Sequence, residues 1–160
     1  RSPSPTIQRP KRTIITDESK FHNLISSGTS PDDTQFIAAL DFLTNSPNPR
    51  ALVEKQISSS QNWNALHIAA LSNPPLYLIY ALLLVYPEGV KVKDSEGRLP
   101  LHLAAGSETS VSVLNTLVRH FHQSVSIKDD KGFIPLHLAL LRDVGDEIPV
   151  DVLRVLLGQN

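Results

Sequence analysis

Apolar residues return in the same order every 35 residues over much of the chain. The segments that carry this pattern are Asn64–Ala70, Leu99–Ala105 and Ile134–Leu140, each with a histidine at its fourth position. A period between about 20 and 50 residues is typical of a solenoid, in which one supersecondary unit is stacked repeatedly. The pattern therefore predicts an elongated stack of repeats.

One repeat predicts two helices and a turn. Asp94 to Gly97 is expected to form the turn, because glycine adopts positive φ at no steric cost. Pro100 favours the first position of a helix, where its missing N–H is harmless. Apolar residues at helical spacing from Val113 to Phe121 predict a second helix. Neither helix can bury its apolar side alone, so neighbouring repeats must stack.

The segments before the repeats have a different pattern. Residues 1–31 are rich in Pro, Ser and Thr and carry a basic cluster at Arg9–Arg12, which predicts a flexible arm. From Asp32 or Asp33, apolar residues at helical spacing predict a helix that ends before Pro47, and a shorter segment follows at Ala51–Ile57. Residues 32–60 are therefore expected to be a helical capping segment.

Charge and composition restrict the class of partner. Fifteen basic and sixteen acidic residues give a net charge of −1, so no global field favours nucleic acid or an anionic membrane. The longest apolar run, Leu76–Tyr86, is shorter than the roughly 20 residues of a membrane span. The absence of cysteine fits a cytoplasmic location, with the nucleus as the alternative. Without a methionine, the chain is expected to be a piece of a longer protein.

The titratable residues do not suggest catalysis. His67, His102 and His137 occupy equivalent positions in successive repeats, too far apart to share a zinc ion, and each imidazole is expected to bond with the backbone of its own turn. Adjacent carboxylates at Asp32–Asp33 and Asp129–Asp130 are explained by helix capping and solvation. No nucleophile elbow, phosphate-binding loop or zinc-protease motif occurs. We expect no catalytic residue, no metal, no cofactor and no small-molecule substrate.

The segment from Gly97 to Ala105 resembles the ankyrin-repeat motif Gly-x-Thr-Pro-Leu-His-x-Ala-Ala. The resemblance covers about residues 60–160 and divides them into repeats at 61–94, 95–129 and 130–160. It implies a β-turn finger and two antiparallel helices in each repeat, and recognition of proteins without catalysis. The expected fold is an all-α ankyrin-repeat solenoid with an N-terminal helical cap.

Three departures from the motif affect the repeats. Where the family has threonine, the first copy has Asn64 and the other two have Leu99 and Ile134, so the hydroxyl that would cap the helix is absent in two repeats. The third copy carries about four additional residues at 145–149. Its C-terminal side, without a polar capping repeat, is expected to be an exposed cut surface.

The finger tips are the candidate binding surface that the resemblance implies. Trp63, Arg98 and Phe133 each precede the motif histidine by four residues, and Trp and Arg in particular are enriched in binding hot spots. The residues expected around this row are Ser95, Glu96, Ser107, Asp130, Lys131, Leu141 and Arg142. In the alternative interpretation, Trp63 and Phe133 pack against neighbouring fingers or lie under flanking repeats.

The predicted function is that of a scaffold or adaptor, which binds an unidentified partner protein through the concave face of fingers and first helices. The alternative is a regulatory or targeting module of a larger enzyme or channel whose catalytic domain lies outside these residues.

Overall fold

The computed structural model describes residues 17–26, 34–54, 61–142 and 148–158. The described residues form nine α-helices. Their bounds are α1 Asp17–Ser26, α2 Thr34–Asn45, α3 Pro49–Glu54, α4 Ala65–Leu71, α5 Leu76–Val85, α6 Pro100–Ala105, α7 Val111–His120, α8 Pro135–Arg142 and α9 Val150–Leu156. The all-α class expected from the sequence is confirmed.

Six helices form the three repeats as two parallel rows. The first helices, α4, α6 and α8, pack side by side in one row, and the second helices, α5, α7 and α9, pack in the other. We call these the inner and the outer helices. A 3₁₀ helix follows two of the outer helices, at Pro87–Lys91 and His122–Ser126, and the sequence pattern does not predict either one.

The fingers between repeats are β-turns held by an aspartate. The Asp94 N–H donates to the Arg98 carbonyl (2.9 Å) and the Gly97 N–H to the Asp94 carbonyl (3.1 Å). Gly97 has a φ of 74°, and a Cβ there would overlap the Asp130 carboxylate of the next finger. Glycine at this position is therefore required both by the turn and by the close approach of the neighbouring finger.

The inner helices begin as the sequence predicts, although their caps differ. The Asn64 side chain caps α4 by accepting from the His67 N–H (3.0 Å). Pro100 is the first residue of α6, and Leu99 before it offers no side-chain cap. The expected loss of a capping group is thus observed at Leu99, whereas Asn64 replaces the missing hydroxyl.

Small residues bring the inner helices close together. Ala69 and Ala70 on α4 and Ala104 and Ala105 on α6 are almost completely buried. Side chains without bulk let two backbones approach, so each inner helix depends on the next one for its burial.

The N-terminal segment differs from the expected flexible arm. Residues 17–26 form α1, which packs against α2 and against the first inner helix, α4. Phe21 and Ile25 are fully buried, and the Phe21 ring stacks on Phe42 at 6.3 Å. These two apolar side chains, four residues apart on one face, supply the burial that stabilises a short helix.

The capping segment also extends the two rows. α1 lies beside α4 as an inner helix does, and α2 contacts the first outer helix, α5. α3 packs against both α4 and α5. The helices α1 to α3 therefore continue the stack before the first repeat. The expected arm residues 1–16 and 27–31 lie outside the described ranges, and so do residues 145–147 of the additional segment expected at 145–149.

Candidate functional site

The finger row predicted from the sequence begins with Trp63, which is half-buried. Its indole Nε1–H donates to the Asp94 carboxylate of the next finger (3.1 Å). Trp63 thus packs against a neighbouring finger, as in the alternative interpretation, and presents only part of its ring to solvent.

Arg98 is held by carboxylates of its own finger. Its Nε and Nη2 lie 2.9 Å from Asp94 Oδ2, and Nη2 lies 3.2 Å from Glu96 Oε1. The guanidinium side chain is 19% exposed. Both contacts with Asp94 end on the same carboxylate oxygen, Oδ2, and together they fix the orientation of the finger tip.

Phe133 is the most exposed aromatic ring of the row, at 36%. Its ring meets the His137 ring edge-on at a centroid distance of 5.8 Å. The structure therefore places Trp63, Arg98 and Phe133 on successive fingers. Trp63 and Arg98 both donate hydrogen bonds to Asp94.

Backbone hydrogen bonds join the tips of adjacent fingers. The Ser95 N–H donates to the Gln61 carbonyl (3.0 Å), and the Asp130 N–H donates to the Glu96 carbonyl (3.0 Å). Lys131 Nζ lies 3.0 Å from Glu96 Oε2, which adds an ion pair between exposed side chains. The tips consequently form one continuous ladder with charged groups of both signs along its edge.

Below the fingers, the inner helices line a shallow groove. The residues around it are Leu71, Arg98, His102, Leu103, Gly106, Leu138, Leu141 and Arg142. Leu71 and Leu141 are exposed by 39% and 59%, so large apolar side chains reach solvent there. The Arg142 guanidinium donates to the Ser107 carbonyl and closes one end.

A second depression continues the groove toward the N-terminus. It lies between α1 and α4 and is lined by Ser26, Trp63, Ile68, Leu71, Ser72, Asn73 and Glu108. Leu71 borders both depressions, so they form one surface, which we call the concave groove. The sequence did not identify Leu71, Leu138 or α1 as parts of the groove. Leu71 lies near the end of its helix, at a position equivalent to that of Leu141, which the sequence did identify.

Two of the motif histidines, His67 and His102, connect consecutive repeats. Leu99 N–H donates to His102 Nδ1 (3.0 Å), which leaves the proton on Nε2, and Nε2–H donates to the Phe133 carbonyl of the next repeat (3.3 Å). His67 Nε2 likewise lies 3.2 Å from the Arg98 carbonyl. The bond to the turn of its own repeat was predicted, whereas the bond to the next repeat was not.

Burial favours the neutral form of the His67 and His102 rings. Desolvation lowers the pKa of His67 from 6.5 to about 4, against the opposing hydrogen bond to the Arg98 carbonyl. Desolvation also lowers the pKa of His102. The Asn64 N–H donates to His67 Nδ1 (3.3 Å), as the Leu99 N–H does to His102.

Asp94 is the electrostatic centre of the finger ladder. Burial alone would raise the pKa of its carboxyl group, but hydrogen bonds from Arg98, Glu96 and Trp63 lower the pKa by a larger amount. The carboxylate therefore stays ionised and joins two fingers.

Neither a metal centre nor a membrane helix is present among the described residues. Within those ranges no three His, Cys, Asp or Glu side chains are grouped closely enough to hold a metal ion. None of the helices described is long and apolar enough to cross a membrane.

Comparison with known families agrees with the geometry. A family model described as ankyrin repeats (3 copies) matches residues 66–160, which is more than half of the chain. No curated protein matches the sequence significantly.

Proposed function

Because the chain belongs to the ankyrin-repeat family, whose members are in general protein–protein interaction modules, we propose that it binds a partner protein through the concave groove. In this proposal the chain acts as a scaffold or adaptor, and the groove contacts an apolar segment of the partner. The cytoplasmic location stays a prediction from composition.

The exposed leucines of the groove are the observation that carries this proposal. Leu71 and Leu141 are large apolar residues with 39% and 59% of their surface in water, although they stand on inner helices with buried neighbours. Apolar side chains exposed in one concave surface gain free energy when a partner covers them. Polar groups of the fingers surround them, as in the polar rim of a binding surface.

The finger row takes two different roles in this proposal. Phe133 is exposed enough to contact a partner directly. Trp63 and Arg98 orient the finger through Asp94, so their replacement would disturb the ladder as well as the surface. A substitution at Phe133 or in the groove therefore tests binding more cleanly than one at Trp63 or Arg98.

The test compares affinity capture from cell lysate by three purified forms. They are the native chain, a groove variant with Leu71→Glu and Leu141→Glu, and a control with Ser112→Glu on the opposite, outer row, where Ser112 is exposed. We expect a protein that the native chain and the control retain and that the groove variant loses. Circular dichroism establishes that all three are helical.

The captured protein is then purified and its affinity measured by titration calorimetry. Two buried charges in an apolar contact should weaken binding by at least tenfold, because each charge must be desolvated without a partner. If the groove variant and the native chain retain the same proteins with equal affinity, the concave groove is not the binding surface.

A further inference from the structure

Positive charge is concentrated where the outer helices α5 and α7 end and the next fingers begin. Residues 85–93 and 119–128 contain four lysines or arginines and a single acidic residue, Glu88. With neutral histidines these two segments have a net charge of +3, whereas the whole chain has a net charge of −1. The four cationic residues are all exposed, and we call them the basic ridge: Lys91, Lys93, Arg119 and Lys128.

Contacts between repeats bring the members of the basic ridge together. Lys93 Nζ lies 3.5 Å from the Lys128 carbonyl oxygen, and these two lysines occupy equivalent positions on adjacent fingers. Lys91 Nζ lies 5.8 Å from the centroid of the Phe121 ring. Phe121 directly follows α7, whose last turn carries Arg119. The basic ridge therefore extends from the end of α7 to the bases of two fingers.

Most of this charge is not neutralised by the described part of the chain. Lys93, Arg119 and Lys128 form no ion pair with a carboxylate of the described residues, and only Lys91 has one, with Glu88 at 2.9 Å. Cationic side chains elsewhere lie 2.9–3.3 Å from a carboxylate oxygen, as do those of Arg50, Arg98, Lys131 and Arg154. The basic ridge thus presents positive charge that a partner of opposite charge can neutralise.

Two lysines of the basic ridge are oriented by neutral groups. The Lys128 carbonyl accepts from Lys93 Nζ, and Lys91 Nζ lies over the Phe121 ring. A carbonyl or an aromatic ring attracts an ammonium group without cancelling its charge. Since an ammonium group has three N–H donors, each lysine retains a donor for a further carboxylate. Side chains that are held in place before binding lose less conformational entropy when a partner arrives.

We propose that the basic ridge is a second binding surface of the chain, which docks an acidic protein segment rich in aspartate and glutamate. Carboxylates of such a segment pair with cations on two fingers and on the end of α7 at the same time. None of the four ridge residues lines the concave groove, so the two surfaces are separate. A protein bound in the groove therefore leaves the basic ridge open to an acidic segment.

The side chains of the basic ridge favour an acidic protein over a single-stranded nucleic acid. Bases bind such strands' proteins by stacking on exposed aromatic rings. Phe121 is half-buried, packs against the core and has Lys91 over its ring, so it is not an open stacking platform. Arginine binds phosphate in a fixed bidentate geometry, whereas three of the four ridge cations are lysines, which act as point charges.

The experiment measures the fluorescence anisotropy of a labelled oligoglutamate peptide as the chain is added. We expect saturable binding that weakens at least tenfold between about 20 mM and about 200 mM salt, because salt screens exposed charges. At the lower salt concentration, Lys93→Glu with Lys128→Glu should weaken binding at least tenfold. Lys93→Gln with Lys128→Gln removes the two charges without reversing them and should weaken binding by about threefold.

The matched control is Lys131→Glu with Arg154→Glu, which changes the net charge by the same amount at exposed positions outside the basic ridge. The control should weaken binding much less than the ridge variant, and circular dichroism establishes that every variant is as helical as the native chain. Equal weakening by the two Glu variants would mean that only net charge matters, and it would overturn the proposal. A native chain that does not bind the peptide, or that binds a single-stranded oligothymidylate of equal charge more tightly, would overturn it as well.

Discussion

At the scale of single residues, the interfaces between repeats depend on a few buried polar side chains with defined protonation. Asp94 must be ionised to accept bonds from Trp63 and Arg98, and His102 must be neutral to accept at Nδ1 while it donates from Nε2. These requirements are met together at any pH above the folded-state pKa values of both groups, and burial lowers the pKa of His102 below that of a free histidine.

His67 and His102 make stability depend on pH. Their folded-state pKa is lowered, so the unfolded chain binds protons first, and the free energy of unfolding falls as the pH drops from about 6.5 toward the folded-state pKa. For His67, a shift from 6.5 to about 4 corresponds to at most about 2 kcal/mol between pH 7 and pH 5.

We expect urea unfolding to show this loss in the native chain and a smaller loss in His67→Gln, which has no titrating ring. Asp94 does not contribute in this interval, because its pKa is lowered from 3.8. An identical pH dependence in the two proteins would mean that His67 is protonated as easily in the folded chain as in the unfolded one.

At the scale of elements, the sequence predicts the repeats well because each residue type recurs in register. Three copies of the motif around His67, His102 and His137 identify the turns and the starts of the inner helices, and Pro100 begins α6 as expected. A single helix without a copy elsewhere offers no such register. α1 was therefore missed, although Phe21 and Ile25 stand at helical spacing.

The candidate site was less predictable than the fold, for a different reason. Periodicity places Trp63 on a finger, but only the packed structure shows that its indole reaches Asp94, which is 31 residues away in the sequence. The exposure of Leu71 likewise depends on how α1, α4 and α6 are spaced in the stack. Residue types specify the elements, whereas the orientation of a side chain depends on its neighbours in three dimensions.

The inclusion of α1 in the stack leads to a stability prediction. Phe21 is fully buried and stacks on Phe42, so Phe21→Ala should lower the free energy of unfolding by about 3–5 kcal/mol. Ile37→Ala on α2, where the side chain is 57% exposed, should cost far less. Urea unfolding followed by circular dichroism measures both. Equal and small effects would show that α1 does not stabilise the repeats.

At the scale of the whole molecule, stability is distributed along the stack. α6 contacts an inner helix on each side, α4 and α8, and its residues from Pro100 to Ala105 are all buried. In such a stack each repeat is stabilised by its nearest neighbours, so a change in the middle affects both sides.

This arrangement predicts how a core substitution spreads. Leu101→Ala in α6 should lower the protection of backbone amides from hydrogen exchange in α6, and also in α4 and α8, with a smaller change in α1. The expected loss in α6 is about 2–5 kcal/mol of opening free energy. Hydrogen exchange followed by mass spectrometry resolves these helices. A loss confined to α6, or the same loss in every helix, would contradict nearest-neighbour stabilisation.

The hydrogen bonds between fingers recur from repeat to repeat, and this recurrence affects how the gene that encodes the chain can gain repeats. Ser95 and Asp130 donate to the preceding finger in the same way, and His67 and His102 reach the following repeat through equivalent atoms. An in-frame duplication of the DNA that encodes residues 95–129 would therefore produce a junction whose donors and acceptors already match. The chain can lengthen by recombination in steps of one repeat without any new point mutation, and the concave groove lengthens with it.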